Sequence, residues 1–164
     1  NVLPNEFDDV IGVGGNVFED RITIDDATQL QPEYFEAFTA ALWKKRGFRT
    51  VIVTSASNDH GVDVVAKTQR NGELIQCKSS TVPGKQLDWD AVKDVVTGHA
   101  AYKIQYPGTQ FKLVCVTNQY FNDNTQRMAK LNNVELIDQS GLQALLDEHR
   151  VTFSEIEMQI ADRH

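Results

Sequence analysis

The chain has 164 residues, of which 41% are hydrophobic, 24% charged and 9% aromatic, with a formal net charge of -7. That composition excludes a disordered, collagenous or disulfide-built protein and describes one ordinary domain around a single core. Its apolar runs, such as Phe111 to Val116, fall far short of the roughly 18 consecutive residues of a membrane helix, so no membrane partner is expected.

Residues 1–30 carry seven acids against Arg21 alone. With Gly12, Gly14 and Gly15 and no sustained apolar period, they read as an acidic lead-in or linker. No signal-peptide pattern opens the chain and residue 1 is Asn, so a piece of a longer cytoplasmic protein is expected. A domain over 31–148 follows. Pro32 suits a first helical position, Phe35, Phe38 and Leu42 recur at helical spacing, and Gly47 ends a helix over about 32–46. Arg49 to Thr54, Val62 to Thr68 and Leu74 to Ser79 read as strands, the last two joined by a hairpin turn at Asn71-Gly72. Trp89, Val92, Val95, Val96, His99 and Tyr102 have helical spacing, which Tyr106-Pro107-Gly108 breaks. Phe111 to Thr117 is a strand covered on both faces, Asn124 to Leu131 a short helix and Val134 to Ile137 a strand. Ser140 then caps a helix bearing Leu142, Leu145 and Leu146, and residues 149–164 read as a peripheral tail. The order α, β, β, β, α, β, α, β, α predicts an α/β fold with a mixed central sheet flanked by helices.

The net charge argues against a nucleic-acid partner only until its distribution is considered. Residues 44–112 hold eleven Lys or Arg against six Asp or Glu, so the centre is basic while the ends are acidic. Cys77 and Cys115 lie inside apolar strands, where buried reduced thiols are expected.

The chemistry concentrates on Asp63 and on Gln76-Cys77-Lys78. Alternation puts Gln76 and Lys78 on one face of their strand. If Asn71-Gly72 is a two-residue loop, Arg70 pairs with Glu73, Asp63 faces Ser80, and Asp63, Gln76 and Lys78 share that face. A carboxylate, an amide oxygen and an ammonium beside apolar neighbours are costly to bury without partners, and a hard divalent cation would account for them. An ordinary Asp–Lys pair on an edge strand is the structural alternative.

From Phe35-Glu36 to Leu146 the sequence resembles the catalytic domain of Mrr-type restriction endonucleases, a branch of the PD-(D/E)XK nuclease superfamily. The likeness rests on the opening helix with Phe35-Glu36, on Gly47-Phe48, on Gly61-Val62-Asp63 and on Gln76-Cys77-Lys78. Val116-Thr117 and Leu136-Ile137-Asp138 before a Leu-rich helix complete it. The resemblance implies a restriction-endonuclease-like fold and a DNA endonuclease dependent on Mg2+, with Mn2+ as a substitute. It casts Glu36 and Asp63 as acidic metal-site residues, Gln76 in place of the second motif acid, and Lys78 as the catalytic lysine. The Cys77 carbonyl would complete the ligands. The usual Pro-Asp or Gly-Gly entry is replaced by Asn58-Asp59-His60-Gly61. On a helical wheel Glu36 flanks the apolar stripe while Glu33 points further toward solvent, which favours Glu36.

Competing motifs are absent. Pro83-Gly84-Lys85-Gln86 lacks the spacing and the Ser or Thr of a phosphate-binding loop, and the four histidines and two cysteines have no zinc spacing. His99 falls on an apolar helix face, as a core or rim residue would. Two readings stay open beside the nuclease: a catalytically silent DNA-binding or assembly module of the same fold, and a structure-specific junction nuclease. A homo-oligomer and an additional domain outside the chain are compatible with all three.

Overall fold

The computed structural model describes residues 20–54 and 60–163. In chain order the elements are α1 (Ile24–Ala27), α2 (Pro32–Lys45), β1 (Thr50–Val53), β2 (Val64–Lys67), β3 (Asn71–Lys78) and β4 (Gln86–Leu87). A 3-10 turn over Trp89–Ala91 leads into α3 (Lys93–Gln105), β5 (Gln110–Thr117), β6 (Tyr120–Phe121) and α4 (Asp123–Leu131). The chain then forms β7 (Val134–Ile137), α5 (Gln139–Glu148) and α6 (Phe153–Arg163).

β3 is buried from Leu74 to Cys77 and β5 from Leu113 to Thr117, because helices cover both their faces. They occupy the middle of a five-stranded sheet of order β1-β2-β3-β5-β7, antiparallel through β1, β2 and β3 and parallel through β3, β5 and β7. Phe35, Phe38, Leu42 and Trp43 of α2 pack with Val64, Ile75, Cys77, Val114 and Val116 on one face. Val92, Val95 and Tyr102 pack with Val65, Leu74, Leu113 and Cys115 on the other. The result is the mixed α/β sandwich expected from the element order. No helix among the described residues is long and apolar enough to cross a membrane.

Several expectations need correction. The β2–β3 turn is not at Asn71-Gly72. The Thr68 N–H donates to the Asn71 carbonyl at 2.8 Å, both residues 71 and 72 belong to β3, and Val64 pairs with Ile75. The register is therefore displaced by four residues from the one a two-residue loop would set. The last long helix of the expected domain is capped by Asp138, whose side chain accepts from the Gly141 N–H at 3.0 Å, rather than by Ser140. The packing also runs past both expected edges of the domain. Ile22 is buried, its N–H donates to the Val151 carbonyl at 2.8 Å, and Arg21 bridges Thr152. The expected peripheral tail contains α6, which lies along α2 and buries Ile156 in the same core as Phe38. A short period of apolar residues, Val151, Ile156 and Ile160, suffices because α2 supplies the partner face. The remainder of the acidic lead-in, residues 1–19, and Asn58-Asp59 lie outside the described residues.

Because Ile156 is 2% exposed, truncating Ile156→Ala should cost about 2–5 kcal/mol of unfolding free energy. Urea denaturation followed by circular dichroism measures it, and a loss near zero would make residues 149–164 peripheral after all.

Candidate active site

Parallel pairing brings the carboxyl ends of β3, β5 and β7 to one edge of the sheet, the side on which open α/β folds leave a crevice for ligands. Lys78 ends β3 and lies opposite Thr117, the last residue of β5. β2 runs the other way, so Asp63, immediately before it, comes to the same edge.

Asp63 sits in a bulge. Its N–H donates to the Ile75 carbonyl at 2.8 Å although Ile75 already pairs with Val64, so two residues stand against one of β3. Val62 consequently packs among the residues on the α3 side of the sheet and Val64 among those on the α2 side. The bulge aims the Asp63 carboxylate at the neighbouring main chain, where Oδ2 accepts from the Cys77 N–H at 2.7 Å. Thr54 secures the bulge from β1: its N–H donates to the Asp63 carbonyl at 3.0 Å and its hydroxyl to the Val62 carbonyl at 2.6 Å.

Glu36, on α2, reaches the same region. Burial pushes the Cys77 thiol well up, and the Asp63 and Glu36 carboxylates push it further, against a hydrogen bond with Thr39 that lowers it. Glu36 Oε1 also lies 3.0 Å from Arg163 Nη1 of α6. Lys78 is half-buried. Burial raises the Cys115 thiol, the Lys78 ammonium opposes that rise and Asp63 adds to it.

Gln76 departs from the expected shared face. Its side chain is 2% exposed and its Oε1 accepts from the Val95 N–H at 3.2 Å, in the first turn of α3, a helix whose N-cap residue Val92 gives no side-chain cap. Displacement of the register places Asp63 level with the Gln76-Cys77 segment rather than with Ser80, and the bulge removes Asp63 from the alternation that would align the two side chains. α3 in turn supports the loop leading into Asp63. Gly98 meets that loop so closely that an added Cβ would stand 2.0 Å from the His60 carbonyl oxygen. Gly61 adopts a φ of +79 degrees against Asp94. His60 is exposed and edge-on to Tyr102, with ring centroids 6.4 Å apart.

Two buried amides escaped sequence reasoning. Asn118 Oδ1 accepts from the Ser80 N–H at 2.9 Å while its Nδ2 donates to the Ala27 carbonyl at 2.9 Å. Gln119 donates to the Ser80 carbonyl at 2.9 Å and accepts from the Gly84 N–H at 3.1 Å. Together they fix the loop that follows Lys78. The available signal was a polar pair directly after the apolar run of β5, where a buried amide is tolerated only with partners.

Among the described residues no three His, Cys, Asp or Glu side chains cluster as a metal cage. Asp63, held at the Cys77 N–H, and Glu36, linked to the Thr54 carbonyl through Arg163, nevertheless suit a small hard cation, which uses one or two carboxylates and completes its shell with waters and substrate phosphate oxygens. The basic centre is partly neutralised internally, since Lys45 pairs with Glu155, Arg46 with Glu73, Lys93 with Asp90 and Lys112 with Glu135. Lys78 and Lys85 flank the loop fixed by the two amides.

Residues 27–146 match the sequence family described as restriction endonuclease, the Mrr catalytic domain. No curated protein sequence matches the chain. Two solved structures are similar. One is a protein of unknown function, AF1548, at 19% identity and a TM-score of 0.55, covering 71% of this chain and 65% of that one. The other is the MspJI restriction endonuclease in complex with a 27-mer oligonucleotide, at 20% identity and a TM-score of 0.51, covering 71% of this chain and 28% of that one. The likeness to both is one of fold, and the chain spans less than two thirds of either.

The supports of the site differ in rigidity, which stability measurements can rank. Gly98→Ala forces a Cβ into main-chain atoms and should cost about 1–3 kcal/mol. Gln76→Leu removes a helix cap whose N–H also reaches the Val92 carbonyl at 3.2 Å, and should cost about 1 kcal/mol. Urea midpoints in the reverse order would show that α3 does not hold the loop in this way.

Proposed function

The chain belongs to the Mrr catalytic-domain family of restriction endonucleases, and from that premise we propose that it is a metal-dependent DNA endonuclease domain, the effector part of a restriction or defence protein. The observation carrying this reading is the placement of Asp63, bonded to the Cys77 N–H, and of Lys78, at the end of β3, on one edge of the sheet, with Glu36 joined to that edge through Arg163 and Thr54. The oligonucleotide bound by MspJI supports DNA as the partner.

Mg2+, or Mn2+ in its place, would be held by Asp63 and Glu36 with the Cys77 carbonyl as a neutral donor, while the Gln76 amide oxygen, engaged by the Val95 N–H, would support the site instead of joining the ligands expected from the motif. When bound it supplies a polarised phosphate and a more acidic water. The protein's own groups do the remainder. Asp63 is oriented in advance by the Cys77 N–H, so it loses little freedom on binding. Lys78 places an ammonium where negative charge accumulates on the phosphate and orients the attacking water. Lys85 and the unpaired part of the basic centre attract the phosphate backbone without regard to sequence.

Plasmid nicking or cleavage should require Mg2+ or Mn2+ and be abolished by Asp63→Ala and by Lys78→Ala in folded protein. Undiminished cleavage by folded Asp63→Ala would sink the assigned site, whereas DNA binding without cleavage under any metal would point to a silent module of this fold. Comparison of linear with branched duplex separates a junction nuclease. The logarithm of affinity should fall linearly with the logarithm of salt concentration, by roughly one unit of slope per phosphate contacted. A flat profile would remove the phosphate contacts from the reading.

A further inference from the structure

The C-terminal helix enters the site through one side chain. Arg163 Nη1 donates to Glu36 Oε1 at 3.0 Å and Nη2 to the Thr54 carbonyl at 3.4 Å. Thr54 is the residue that secures the Asp63 bulge. The guanidinium therefore touches both segments that present acids. The paired side chains are only 20% and 19% exposed, so solvent and salt screen them far less than a surface pair. Arg163 lies outside residues 27–146, the stretch that matches the family. It is a feature of α6 in this chain rather than of the matched segment.

Among the described residues four charged side chains are placed at this edge: Asp63 and Glu36 negative, Lys78 and Arg163 positive. Their charges cancel. A hard cation is drawn only weakly to such a set, and Glu36 Oε1 already has a cationic partner. A phosphodiester changes both terms, because it brings a negative charge of its own and offers the guanidinium two oxygens for bidentate bonding. Arg163 also lines a cavity of about 180 Å³ with Lys44, Val53, Gln159 and Asp162, which gives the side chain room to turn.

Building on the metal-dependent reading above, we infer that Arg163 is the counter-ion that couples cation binding to phosphodiester binding. Without DNA it holds Glu36. A DNA phosphate draws the guanidinium away and leaves the carboxylate to the ion. Arg163 is in this sense a positioning residue, and the site fills with metal and DNA together, each raising the affinity for the other by the same factor.

The test is Mn2+ binding to the full chain without DNA, followed by electron paramagnetic resonance of the free ion, together with the Mg2+ half-saturation of plasmid cleavage. Arg163→Gln should tighten DNA-free Mn2+ binding about tenfold, and lower the Mg2+ half-saturation by much less, since DNA has already displaced the guanidinium there. Arg163→Lys keeps the charge and should stay within about threefold of the native DNA-free affinity. The double variant Glu36→Gln with Arg163→Gln restores zero charge and should lose the gain. If Arg163→Gln unfolds, Arg163→Met keeps the apolar stem without the charge and carries the same expectation. DNA-free affinity unchanged in both charge-removing variants, while Asp63→Ala abolishes Mn2+ binding, would overturn the role of Arg163 and leave the metal site standing. Absence of any Asp63-dependent Mn2+ binding, with no cleavage, would overturn the metal reading and this coupling with it.

Discussion

The hydrogen bond from the Cys77 N–H to Asp63 Oδ2 joins the two strands that carry the chemistry, and it exists only because β2 begins with a bulge. A regular ladder would turn Asp63 with the pleat. Two residues standing against Ile75 instead aim its carboxylate at the Cys77 N–H, near the end of β3. Bulges are found beside functional sites for this reason. Three separate elements stabilise the arrangement: Thr54 of the β1 end through its N–H and its hydroxyl, α3 through the contact of Gly98 with His60, and α6 through Arg163 at the Thr54 carbonyl.

Gln76 links the interior of the sheet to the same support. Its buried amide oxygen meets the first turn of α3, and α3 underlies the loop that delivers Asp63. Gln76, two residues before the lysine at the strand end, is thus linked through α3 to the loop that carries Asp63. Asn118 and Gln119 perform a comparable task on the other side, tying the segment after Lys78 to Ala27 and to the end of β5. On that side the rigidity comes from two buried amides, Asn118 and Gln119, each with partners at both polar ends, which specify one geometry because a half-satisfied amide in such a place is costly.

The periodicity of Phe35, Phe38 and Leu42 and the apolar run of β5 made the sandwich legible, since burial on one stripe or on two faces leaves its mark directly in residue type. The resemblance carried by Gly61-Val62-Asp63 and Gln76-Cys77-Lys78 made the candidate site legible, and the family match bears the recognition out. What could not be read was register. Asn71-Gly72 is a strong hairpin signal in isolation, but Gly72 lies in β3, where an added Cβ would stand 2.7 Å from the Phe111 ring, and the glycine serves close packing rather than a turn. The bulge has no residue signature of its own. α6 escaped because its apolar side makes sense only against α2, and Arg163 because nothing in the sequence brings it within reach of Glu36.

The amide at position 76 and the arginine at position 163 bear on one electrostatic quantity. A carboxylate in place of Gln76 would be favoured by the N-terminus of α3, where the helix dipole stabilises negative charge, so helix stability alone does not account for an amide. On the coupling inferred above, a third acid would give the four-charge set a net negative value and let a cation settle before DNA arrives. The neutral oxygen avoids that while still meeting the Val95 N–H. An amide that caps a helix and an arginine that holds a glutamate then serve the same end: the edge is shaped in advance, and its attraction for the ion waits on the phosphate.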